Sequence, residues 1–113
     1  MVSLVAAGTV NGVFPAHGLT TLYYLVRKHA SKSDAEEAMD RVLRHFKIGN
    51  LDASGWDEAR RLPFADFEDA AVAVVAKASG STFIVTRNVD DFAGSLVPAI
   101  TLADFLSRLT PTA

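Results

Sequence analysis

At 113 residues, with half of them apolar and 21% charged, the chain is long enough for one hydrophobic core and too apolar for a disordered segment. Its net charge of −2 gives no global attraction to nucleic acid, so a polyanion would have to be held by local basic patches or bridging metal ions. Cysteine is absent, which excludes disulfides and thiolate metal sites and suits a reducing cytoplasm; no stretch approaches the ~20 apolar residues of a membrane span.

Taken in chain order, Met1 to Gly8 lacks the basic start and the long apolar run of a signal peptide, and Val2 to Ala7 reads as the tail of a helix closed by Gly8. Gly12 to Ala16 reads as a short strand, with Pro15 demoting it to an edge or a strand end. Leu19, Leu22, Tyr23 and Val26 carry helical spacing, and Arg27, Lys28 and His29 finish that helix where cations suit its dipole. The next helix is expected to open on a Ser33–Glu36 capping box and to bury Ala35, Ala38, Met39, Val42, Leu43 and Phe46. Lys47 to Leu51 is a weak strand, and Ser54 is expected to cap a short helix that stops at Pro63.

From Asp66 to Ser79 a helix is apolar nearly all round, which implies burial against both a sheet and a second helix. Gly80 ends it. Thr82 to Thr86 is a β-branched run suited to a buried parallel strand, and Leu96 to Ile100 is a last short strand before a helix capped by Thr101. This alternation of helices and short strands predicts an α/β domain of three layers with a mostly parallel sheet.

Acidic side chains fall at two stations of this layout. Asp66 and Asp69 share one face of a helix's first turn, and Asp90 and Asp91 follow the strand that ends at Thr86. Both stations lie at the carboxyl ends of strands, where parallel sheets bind their ligands. Gathered carboxylates are costly unless they hold cations, so the pattern points to a divalent-metal site. Each signal alone has an ordinary reading: Asp66 as a helix cap, Asp90 and Asp91 as a solvated turn, Asn88 as a turn residue and Thr86 as a strand hydroxyl.

Four blocks then resemble the PIN-domain family, the metal-dependent nucleases that include the VapC-type toxins of toxin–antitoxin pairs. They are Gly18-Leu-Thr-Thr-Leu-Tyr-Tyr-Leu25, Asp66-Phe-Glu-Asp-Ala-Ala-Val-Ala73, Phe83-Ile-Val-Thr-Arg-Asn-Val-Asp-Asp-Phe92 and Val97-Pro-Ala-Ile-Thr-Leu-Ala-Asp-Phe-Leu106. The resemblance, over residues 12–106, implies a Rossmann-like sheet in the order 3-2-1-4-5 with helices on both faces. It also implies hydrolysis of RNA phosphodiesters with Mg²⁺ or Mn²⁺ held by three or four acidic groups. By resemblance Asp69 matches a metal-ligand aspartate, Asn88 stands where the family has Asp or Asn, Asp91 is the neighbouring acid, and Asp66 matches an acid of this branch. Thr86 would orient a metal-bound water. RNA is the implied substrate and an antitoxin protein the implied partner.

Two departures qualify the match. The family usually opens with a strand ending in Asp and a helix, roughly 20–30 residues that do not precede Met1 here. The family's glutamate before the Leu-Tyr-Tyr is replaced by Thr21. The expectation is therefore one PIN-like domain over residues 1–113, N-terminally truncated, with weak metal affinity and impaired cleavage. Loss of a central strand further predicts a homo-oligomer or a remodelled sheet. The alternative is an inactive remnant that binds RNA or protein; a nucleotide-binding Rossmann-like module is less supported, because no Gly-x-Gly-x-x-Gly or Walker sequence is present.

Basic residues cluster at Arg27, Lys28, His29 and Lys32, along Arg41, Arg44, His45 and Lys47, and at Arg60 and Arg61. They read either as phosphate-steering groups, Lys28 and Arg44 among them, or as solvated helix faces. Arg87, beside Asn88, is the better phosphate contact.

Overall fold

A computed structural model of the chain describes residues 10–109. The expected helix at Val2 to Ala7 lies outside the described residues. The elements run β1 (Val13–Pro15), α1 (Gly18–His29), α2 (Lys32–His45), β2 (Lys47–Gly49), α3 (Ala53–Arg61), α4 (Phe67–Ala78), β3 (Ile84–Val85), a 3-10 turn (Val89–Phe92), β4 (Ala99–Ile100) and α5 (Leu102–Leu109). Helices and parallel strands alternate as the sequence implies. Among the described residues the pairing is confined to two two-stranded sheets, β1 with β2 and β3 with β4. The chain divides into two compact units, one up to Asn50 and one from Leu51 onward.

In the first unit β1 pairs in register Val13 to Lys47, Phe14 to Ile48 and Pro15 to Gly49. The amides of Ala16 and Lys47 extend the ladder to the carbonyls of Gly49 and Gly12, both at 2.9 Å. Pro15 is tolerated because a two-stranded sheet leaves one side of β1 free of ladder bonds. Helices α1 and α2 pack together, and Phe14 meets Phe46 edge to face at 6.0 Å. Only Ala35 and Val42 of α2 are buried, and Leu43 is exposed. Leu43 follows Val42 by one residue, a turn of about 100° that carries it off the apolar stripe.

Two caps differ from the expected ones. Helix α2 begins earlier than Ser33: the extended Ser31 accepts a hydrogen bond from the Asp34 amide at 3.0 Å, which leaves Ser33 and Glu36 inside the helix. The cap of α3 is Asp52, not Ser54. Its carboxylate accepts from the Gly55 amide at 2.9 Å, and the Ser54 hydroxyl donates to the same oxygen at 3.2 Å. These bonds, the Gly55 amide foremost, hold the Asp52 carboxyl below the usual aspartate range. A charged acceptor at a helix N-terminus outcompetes a hydroxyl.

The second unit is built around α4. One side of it, with Ala70, Ala71 and Val74, meets Ala59 of α3, flanked by Trp56 and Leu62. Another side, with Ala73 and Ala76, packs on Ile84, Phe92 and Val97. Alanine at the contact lets the helices approach closely, which is why an all-round apolar helix is stable here. Helix α4 closes in the Schellman pattern: the Gly80 amide donates to the Lys77 carbonyl at 3.2 Å and the Ser81 amide to the Ala76 carbonyl at 2.9 Å. Gly80 sits at φ 66°, the left-handed conformation this motif requires. Strand β3 is shorter than the Thr82–Thr86 run. Its amides at Ile84 and Thr86 reach the carbonyls of Pro98 and Ile100 at 2.9 and 3.0 Å. Beyond that point the Thr86 hydroxyl accepts from the Asn88 amide at 3.1 Å and turns the chain away.

Candidate functional site

The acidic residues of the second unit are placed by three local devices. Asp66 is the N-cap of α4, in extended geometry (φ −114°, ψ 123°), and its Oδ1 accepts from the Asp69 amide at 2.9 Å. The capping role open to Asp66 in the sequence is thus filled, and its side chain fixes the first turn that carries Asp69. Thr86 directly follows β3, and its bond to the Asn88 amide shapes the turn where Arg87 and Asn88 project, both exposed. Asn88 opens the 3-10 turn, and among the described residues its side-chain amide is uncommitted. Phe92 anchors that turn: its ring is buried against Phe64, edge to face at 5.9 Å. This anchor seats Asp91 beside α4, which the 3-10 turn contacts directly.

The electrostatics tie these pieces together. The Asp69 carboxyl is pushed above the ordinary aspartate value, first by burial and then by the negative charges of Asp66, Asp91 and Glu68. Glu68, adjacent to Asp69 in sequence, adds the smallest of these contributions. Asp91 is carried by the 3-10 turn, which contacts α4. Asp90 lies exposed on the same turn.

The remaining predicted site residues, Lys28 and Arg44, belong to the first unit. Lys28 holds its ammonium 5.8 Å from the Tyr24 ring, and both residues are exposed, so Tyr24 is a surface aromatic rather than a packed one. Arg44 is exposed in the last turn of α2, and Thr21 is exposed on α1.

The donor set can be tested against a divalent cation. Among the described residues no group of three or more Asp, Glu, His or Cys side chains forms a ready-made cage. Asp69 and Asp91, on elements in contact, and the Asn88 amide oxygen, nearby in sequence, are the hard oxygen atoms of this region. Mg²⁺ is commonly held by one or two carboxylates while retaining several waters. The Asp69 carboxyl is raised chiefly by burial, with the neighbouring acids adding to it. Any ion held by these oxygens would keep much of its hydration, because no enclosing donor set forms among the described residues.

The second unit thus carries acids at the mouth of α4 and in the turn after β3, in a chain of alternating helices and parallel strands. The chain belongs to the PIN-domain family, whose PIN domain model matches residues 1–90. The family consists generally of nucleases. Comparison with curated proteins and with solved structures gave no match.

Proposed function

We propose that this chain is a metal-dependent ribonuclease domain of low metal affinity, with Asp69 at its centre. The reading is supported by the PIN domain match over residues 1–90 and by the contact of α4, which carries Asp69, with the 3-10 turn, which carries Asp91. Asp69 and Asp91, with Asn88, would hold Mg²⁺ or Mn²⁺; such an ion, when bound, neutralises phosphate charge and generates a nucleophile from water. Asp66 acts through the backbone, because its cap fixes the turn from which Asp69 projects. The Thr86 hydroxyl shapes the Asn88 turn and offers its remaining capacity to a water at the strand end. Arg87, exposed and without an ion pair among the described residues, draws the RNA phosphate towards the carboxylates. Lys28 and Arg44 are proposed as steering charges of the first unit. A toxin role, with an antitoxin that covers the acidic site, and assembly as a homo-oligomer complete the reading.

A second reading is favoured by the lack of a three-acid cage among the described residues: a non-catalytic PIN module that binds RNA or a protein. Cleavage of a single-stranded RNA in Mn²⁺ against EDTA separates the two. The nuclease reading predicts slow cleavage that requires millimolar Mn²⁺ and is abolished by Asp69→Asn. Cleavage unaffected by Asp69→Asn, or none at any Mn²⁺ concentration, would remove it.

A further inference from the structure

We infer that the second unit carries a subsite for one unstacked nucleobase, built on Phe67 and Arg60. The subsite rests on the RNA-directed reading above and adds where the substrate's base is held. A cavity of about 440 Å³ is lined by Arg60, Leu62, Phe64, Phe67 and Ala70, among others, large enough for a nucleoside unit. Phe67 is 51% exposed, an unusual place for a large aromatic on a helix whose other faces are buried. It is not left mobile by that exposure: Trp56 supports it from α3, ring to ring at 5.6 Å and tilted by 49°. An exposed aromatic face backed by a second ring is a stacking platform.

The polar part of the cavity fits the same ligand. Arg60 is exposed on its rim, and among the described residues it makes no ion pair, whereas its neighbour Arg61 is bound to Asp57 at 3.0 Å. A nucleotide presents a flat apolar ring next to an anionic phosphate, and RNA is read through bases stacked on aromatic rings and guanidinium planes. An apolar wall with one uncommitted cation matches that pairing of charge and surface. Phe67 also stands between Asp66 and Asp69 in the first turn of α4. Two residues before Asp69 and about 200° from it round the helix, Phe67 lies on the α3 side of α4, so the platform is set apart from the Asp69 carboxylate.

The test uses the full chain and a ten-nucleotide mixed-sequence single-stranded RNA in EDTA, where binding is read without cleavage. Trp56 is the chain's one tryptophan, so its fluorescence reports the platform directly. Binding is expected to quench that fluorescence. Phe67→Leu, which keeps the apolar surface, should weaken binding about tenfold, and Phe67→Tyr should restore it. Arg60→Gln should lower the slope of log affinity against log salt by about 0.7. Wild-type binding with unchanged Trp56 fluorescence, or equal affinity in wild type and Phe67→Leu, would overturn the subsite, as would occupation of the cavity by an apolar peptide but not by RNA. The two readings fail separately. Phe67-dependent binding without metal-dependent cleavage keeps the subsite and removes the nuclease. Cleavage lost in Asp69→Asn with binding indifferent to Phe67 does the reverse.

Discussion

The cap at Asp66 gives the sharpest stability prediction, because one side chain both holds a helix turn and charges its neighbour. Its Oδ1 accepts from the Asp69 amide at 2.9 Å, and its negative charge is one of those that raise the Asp69 carboxyl. Asp66→Ala removes both effects, and loss of such a cap costs about 1 kcal/mol. For a chain of 113 residues that corresponds to a fall in Tm of roughly 4 °C. Asp66→Asn keeps an equally good cap and removes the charge. It loses some attraction to the helix dipole but relieves repulsion on Asp69, so its stability at neutral pH should stay within about 0.5 kcal/mol of wild type. Urea denaturation of the three proteins, with an NMR titration of the Asp69 side chain, reads both effects. The Asp69 carboxyl should titrate at lower pH in either variant. If Asp66→Asn is as unstable as Asp66→Ala, or if Asp69 titrates unchanged in both, the double role assigned to Asp66 is wrong.

Three further outcomes follow from the packing and charges. Gly80→Ala places a side chain at φ 66° with open space around it, so its cost is conformational alone, about 1–2 kcal/mol by denaturation. Phe92→Ala empties a buried position against Phe64 and should cost about 3–5 kcal/mol. It should also weaken Mn²⁺ binding, measured calorimetrically, because it unseats the turn that carries Asp91. The pH dependence has opposite signs at two aspartates. Asp69, raised on folding, contributes stability present below its unfolded pKa and lost as pH rises through its folded value, so Asp69→Asn should remove that decline in a denaturation series. Asp52, lowered on folding, contributes stability present above its unfolded pKa and lost as pH falls through its folded value, and Asp52→Asn should remove that loss.

Much of the second unit was legible in the residues. The alanines and valines of α4 leave no polar face, and the structure buries them against α3 on one side and the strand layer on another. Gly80 and Thr101 end and begin helices where their chemistry demands it. The family was legible from four separated blocks, and the match over residues 1–90 shows it. What sequence spacing could not settle was competition among adjacent polar groups. Ser31 prevails over Ser33 and Asp52 over Ser54, because a cap is decided by which side chain meets the first free amides. The length of β3 was overestimated for a related reason: the Thr86 hydroxyl bends the chain as the ladder ends. The contact of the 3-10 turn with α4 rests on burial of Phe92, a packing event with no local signature.

Paramagnetic broadening by Mn²⁺ tests the central claim most directly. In an amide spectrum of the protein at neutral pH, the account predicts that millimolar Mn²⁺ first erases signals at Asp69, Asn88 and Asp91 together, and that Asp69→Asn protects all three. Broadening centred elsewhere, or confined to one of these segments, would contradict the claim that the helix mouth and the strand-end turn form one cation site.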